Sequence, residues 1–246
     1  MLDSPWTFAL ACFCACLIGL SKSGFTGLSW IYIIAFAEIY GAKQSVGLIL
    51  PLLIAADCMA YPAFRQHGSW RPVWALIGPA CVGVLLGWAS LAYISDEIAR
   101  SLIAACVLLM VVIHLARRWQ FLPWDRWLES SGFQFGSGLF GGFASMLANA
   151  AGPIIQLYLL AKRLPKMELL GISARFFLLL NLIKLPISVR LDMIHTASLL
   201  ENLKLLPFLL LGVVCGKWLI QKVPQRAFEW MLLVFAILAA ARMLFS

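Results

Sequence analysis

The sequence predicts an all-α polytopic membrane protein built from two inverted repeats, each with a broken or re-entrant first helix pair followed by three transmembrane helices. Three observations carry that prediction. Of 246 residues, 63% are hydrophobic and only 12% charged, with a mean hydropathy of +0.92, a balance that excludes an ordinary soluble domain. Long apolar runs are separated by short gaps that hold most of the Lys and Arg. The halves also share punctuation: Gly47, Asp57 and Pro62 recur at one constant offset as Gly171, Asn181 and Pro186, and Gly83-x-x-x-Gly87 recurs downstream as Gly212-x-x-x-Gly216. Internal repeats of this length mark transporter folds.

In chain order, the apolar runs lie at about 6–20, 25–39, 46–64, 72–94 and 98–116, then at 133–148, 153–161, 167–189, 203–221 and 227–245. The first follows Met-Leu-Asp-Ser-Pro, which lacks the basic region of a signal peptide, so it is expected to be retained as a helix. A bilayer core needs roughly 20 helical residues, so the runs at 25–39 and 153–161 are half-helices or parts of broken ones. The polar stretch around 117–131 divides the chain nearly in two. It sets residues 1–118 as the first membrane repeat, 119–131 as a cytoplasmic linker and 132–246 as the second membrane repeat.

The loop cations decide between two topologies. If each break lies within one continuous crossing, Lys and Arg divide evenly between the two sides and specify no orientation. If the chain reverses at each break, one side collects Arg65, Arg71, Arg117, Arg118, Arg126, Lys162, Arg163, Lys166, Lys217, Lys222 and Arg226. The other side keeps only Lys43, Arg100, Arg190, Lys204 and Arg242. The positive-inside rule favours this arrangement, with the linker cytoplasmic and both termini outside. The formal charge of +8 is thus a topology signal. No basic stripe interleaved with exposed aromatics points to nucleic acid.

Two interruptions carry the chemistry. Gly-Leu-Ser-Lys-Ser-Gly-Phe-Thr-Gly at 19–27 places Lys22 and a glycine-rich break inside an apolar run, and Asn149-Ala-Ala-Gly-Pro153 does the same in the second half. Broken backbone and a charge at bilayer depth are tolerated only inside protein or beside a watery cavity. Each restarting helix offers unpaired N–H groups and a partial positive charge to an anion. Ser23, Gly24, Thr26, Asn149 and Gly152 sit at these ends, and Pro153 suits a first helical turn. Between inverted repeats the two tips would meet near the midplane and form an anion site with Lys22.

Asn181 and Lys184 are three apart and share a helix face, so both are candidates to bind the anion from behind Lys22 and the two tips, whereas Arg175 and Lys184 point to nearly opposite sides. Lys184 lies near the outer end of its helix, within reach of snorkelling. Asp57, at the position equivalent to Asn181, is expected to neutralise Arg175 or Lys184, or to take up a proton. Arg175 has a carboxylate, a backbone carbonyl or the substrate as candidate partners. Glu38, Tyr40 and most of the Trp, including Trp70, Trp74, Trp119, Trp124 and Trp127, read as interfacial. The GxxxG pairs read as helix-packing scaffold. His67, His114 and His195 lie too far apart for a metal site, and the seven Cys, Cys12-x-Cys14-x-Cys16 among them, fit neither a disulfide framework nor zinc. No cofactor is expected.

These residues together resemble the sulfite exporter TauE/SafE family, also called the toluene sulfonate uptake permease family, over nearly the whole chain. Gly19-x-x-Lys22-x-Gly24-Phe25-x-Gly27 looks like its first-repeat signature. Ala148-Asn149-Ala150-Ala151-Gly152-Pro153, followed by Asn181-x-x-Lys184-x-Pro186, looks like the second-repeat pattern of one branch. The commonest form has more consecutive glycines after each break, where this chain has Leu28-Ser29 and the Asn-Ala-Ala tip. The resemblance implies transport of small, often sulfur-containing anions such as sulfite and organosulfonates across the bacterial cytoplasmic membrane. It leaves room for a channel or facilitator, or for a non-transporting accessory protein, and for a homo-oligomer. An enzyme is disfavoured, because no paired acid and base or clustered His and carboxylates stand beside a substrate groove.

Overall fold

The computed structural model describes residues 5–25, 28–40, 42–90 and 130–244, together with 93, 95, 98, 101, 105 and 112. Thr26, His114, most of the 98–116 run and the linker before residue 130, with its three Trp, lie outside the described residues. The described helices are α1 (Pro5–Lys22), α2 (Ser29–Tyr40), α3 (Ala42–Phe64), α4 (Arg71–Ser90), α5 (Ser131–Ala148), α6 (Ala151–Ala161), α7 (Lys166–Arg190), α8 (Thr196–Lys222) and α9 (Gln225–Leu244). No strand occurs among the described residues. Among the described residues five helices, α1, α3, α4, α7 and α8, are long and apolar enough to cross a membrane.

The short helices are α2, of 12 residues, and α6, of 11. At 1.5 Å per residue they reach about 18 and 16 Å, well short of a hydrocarbon core about 30 Å thick. The burial of α6 differs from that of the long helices. Leu203, Leu211, Val214 and Trp218 on α8, and Trp74, Leu85 and Trp88 on α4, turn outward, giving these helices the apolar outer face that lipid covers. By contrast α6 buries nearly every side chain from Ala151 to Ala161, as a helix apolar all round must.

Local chemistry sets each break. After α1, Gly24 adopts φ 127°, a conformation that L side chains rarely take, and Ile220 and Leu170 pack against the space where its Cβ would be. Downstream, Ser130 caps α5 by accepting a hydrogen bond from the Phe133 N–H at 3.2 Å. The helix stops at Asn149 in the left-handed region, φ 54°. There the Ala150 N–H donates to the Ala144 carbonyl at 3.2 Å and the Asn149 N–H to that of Ser145 at 3.0 Å, so both carbonyls keep a partner where the helix ends. Only Asn149 and Ala150 separate α5 from α6.

Three helix pairs organise the interior: α1 on α8, α4 on α5, and α3 on α7. In the first two, glycines bring backbones together. Gly212 meets the Cys16 carbonyl and Gly19 that of Leu209, while Gly83 meets the Leu139 carbonyl and Gly142 that of Ala80. A Cβ at Gly212, Gly83 or Gly142 would stand no more than 2.0 Å from the carbonyl oxygen it faces, so the close approach demands a missing side chain.

The order of contacts gives directions. Gly212 lies at Cys16, Gly216 at Leu20 and Ile220 at Gly24, so α1 and α8 run parallel. Likewise α3 parallels α8: the Asn202 side chain donates to the Leu48 carbonyl at 3.0 Å and Lys217 Nζ to that of Met59 at 2.6 Å. Since α1 and α3 therefore point the same way, α2 carries the chain back between them. The α3–α7 pair is antiparallel, with Gly47 at Met193, Asp57 at Asn181 and Gly171 at His67.

Candidate functional site

A small cavity of about 20 Å³ lies where both breaks meet. By this measure it holds about one water. Ser29 opens α2 and Ala151 and Gly152 open α6, so the starts of both short helices line it, together with Ser21, Lys22, Tyr32, Ser145, Asn149, Phe177 and Asn181. Its described lining holds one ammonium and no carboxylate.

Charged groups stand directly behind that lining. Lys22 Nζ contacts Asp57 through Oδ1 at 2.9 Å and donates to Oδ2 at 3.1 Å, with the Phe177 ring centroid 4.7 Å away. The Asn181 amide donates to Asp57 Oδ2 at 2.8 Å. Lys184, 0% exposed, donates to the Ser145 carbonyl at 2.6 Å, to Ser145 Oγ at 3.0 Å and to Asn149 Oδ1 at 2.6 Å. Those three acceptors match the three donors of an ammonium. The Asn149 amide in turn donates to the Val46 carbonyl at 3.1 Å, tying the second break to the start of α3.

Several sequence expectations are corrected here. Asp57 pairs with Lys22 rather than with Arg175 or Lys184. The antiparallel register explains this, because it sets Asn181 beside Asp57 and leaves Arg175 six residues, about 9 Å, further along α7. Arg175 instead donates to the His67 and Gly68 carbonyls at 2.8 and 2.9 Å and to that of Arg65, and stacks over Trp70 at 5.1 Å. It clasps the α3–α4 turn, outside the cavity. Lys184 does not snorkel, since α7 is covered along that face and the ammonium finds acceptors inside. Ser23 and Gly24 do not line the cavity: the Ser23 hydroxyl is directed to the Gly19 and Val213 carbonyls, each at 3.0 Å, and Gly24 packs on α7 and α8. Thr26 falls outside the described residues.

Sequence reasoning missed Ser21, Ser29, Tyr32, Ser145 and Phe177. Ser145 was recoverable, being four residues before Asn149 and so on the same helix face. Tyr32 and Phe177 carry no such signal in an apolar run.

No three His, Cys, Asp or Glu side chains among the described residues are grouped so as to hold a metal. A family model described as sulfite exporter TauE/SafE matches residues 11–243. No match was found among the curated proteins or among the solved structures.

Proposed function

The chain belongs to the sulfite exporter TauE/SafE family, a family of transporters rather than enzymes, and we propose that it is a permease moving small anions, sulfur oxyanions among them, by alternating access. The observation that carries this reading is the convergence of two helix starts and the Lys22 ammonium on one cavity whose described lining holds no carboxylate. Helix starts and a lysine attract negative charge, and a low-dielectric surround strengthens both.

Residues 1–118 and 132–246 form two inverted repeats joined by a cytoplasmic linker at 119–131. Three features support the inversion: the helices that share Gly47/Gly171, Asp57/Asn181 and Pro62/Pro186 run antiparallel, the α1–α8 glycine contacts are matched by those of α4 with α5, and α2 doubles the chain back. Lys22, Asn149, Gly152 and Asn181 contact the anion, and Lys184 holds the Asn149 tip in place. The membrane is the bacterial cytoplasmic membrane, as for the family.

Removing Lys22 alone would leave the Asp57 carboxylate buried and unpaired, which costs about 3–5 kcal/mol. The informative variant is therefore Lys22→Gln combined with Asp57→Asn. In proteoliposomes it is expected to abolish uptake of radiolabelled sulfite or sulfonate while eluting as a monodisperse peak. Wild-type flux from that variant would overturn the assignment.

A further inference from the structure

We propose that Asp57 sets the charge class of the anion: with its carboxylate ionised the site balances a monoanion, and a dianion is accepted only when Asp57 carries a proton. This rests on the permease reading above and concerns the same cavity. Three fixed charges are packed together there: Asp57 and Lys184 are buried, and Lys22 is partly buried with its ammonium on Asp57. Lys184 is held as an ammonium by three oxygen acceptors, none of them charged. Asp57 offsets one of the two lysines, so the empty cluster keeps a single positive charge. One negative charge on a ligand neutralises it, as an organosulfonate or hydrogen sulfite does. A second would be uncompensated in a buried site, which is strongly unfavourable.

Asp57 is the group able to absorb the difference. It stands behind Lys22 and Asn181 rather than in the cavity lining, so the ligand competes with it for Lys22 without touching it. When a dianion engages Lys22, a proton from the entry side joins a carboxylate oxygen of Asp57, and the filled site is again neutral. The groups facing Asp57 are Lys22 from α1, Tyr32 from α2, and Asn181 and Lys184 from α7. On the α8 side, Lys217 is engaged by the Met59 carbonyl, and Cys58 adjoins it on α3. Arg175 is committed to the α3–α4 turn and does not enter the balance.

The test compares uptake of methanesulfonate, a monoanion, with that of sulfate, a dianion, in proteoliposomes holding wild type, Asp57→Asn or Asp57→Glu. Wild type and Asp57→Glu are expected to prefer methanesulfonate, and Asp57→Asn to move the ratio toward sulfate by roughly tenfold or more. Should Asp57→Asn fail to fold, wild-type calorimetry in buffers of different ionisation enthalpy replaces it. Methanesulfonate is then expected to bind without proton exchange, and sulfate either not to bind or to bring about one proton with it. An unmoved flux ratio in folded Asp57→Asn, or sulfate binding without a proton, overturns the proposal. If flux is abolished in the Lys22→Gln, Asp57→Asn variant while the ratio is unmoved in Asp57→Asn, this inference alone fails. If neither anion is carried, it falls together with the reading it rests on.

Discussion

Asn149 does two jobs that a single substitution can separate. Its backbone ends α5 in the left-handed region, and its side chain links Lys184 to the Val46 carbonyl. Glycine accepts that backbone at no steric cost, whereas alanine does not. Asn149→Gly therefore isolates the side-chain contribution, about 2 kcal/mol for a hydrogen bond to a charged group. Asn149→Ala adds the backbone penalty, about 1 kcal/mol more. Unfolding in detergent should rank wild type above Gly and Gly above Ala. Equal loss in the two variants would mean that the left-handed turn is not what the backbone needs there. The residue was visible in the sequence because a polar Asn beside Gly-Pro in an apolar run has no cheap explanation. Its partner Lys184 was visible as a charge but not in its role, since helical spacing gives a face and not what covers it.

At the level of helices, close packing depends on positions with no side chain. Gly212 and Gly78 illustrate the contrast, for a Cβ at Gly212 would meet the Cys16 carbonyl at 2.0 Å, whereas at Gly78 nothing lies within 4 Å. Gly212→Ala should force α1 and α8 apart and cost at least about 2 kcal/mol, with a fall in melting temperature. Gly78→Ala should leave stability unchanged or raise it slightly, since alanine is the better helix former. Similar behaviour of the two variants would sink the packing account. Most boundaries of the described helices followed from the sequence, although α8 begins at Thr196, seven residues before its apolar run. Runs too short to span became α2 and α6, and Gly24 and Asn149 fell at the breaks, whereas Ser23 turned to the Gly19 and Val213 carbonyls and α6 starts without a side-chain cap. What hydropathy could not supply was the pairing, because a lipid-facing leucine and one packed against another helix look alike in a list of residues. Asp57 was assigned the wrong cation for that reason.

For the whole molecule, the arrangement proposed for the repeats places residues 43 and 65 on opposite sides of the membrane. Single cysteines at those positions in a cysteine-free background should react with an impermeant maleimide from opposite faces of sealed vesicles. Labelling of both from the same face would exclude the arrangement. The loop cations already favoured reversal at each break, and the parallel course of α1, α3 and α8 gives that reversal a physical form in the first half. The sequence could offer charge asymmetry because insertion reads charge. It could not reveal that α1 is covered by α8, because a contact across some 190 residues leaves no local trace.

That contact also bears on how the chain is made. At a synthesis rate of about 5–20 residues per second, α1 exists for roughly 10–40 seconds before α8 emerges. During that interval Ser23 lacks the Val213 carbonyl it is destined for, and Gly19 faces no helix. Asp57, the partner of Lys22, follows it by 35 residues and so is synthesised within about 2–7 seconds of it, long before α8. A ribosome stalled before α8 would thus leave a nascent chain that holds both partners of the ion pair but whose first helix is uncovered, the kind of exposed surface on which membrane quality control would act.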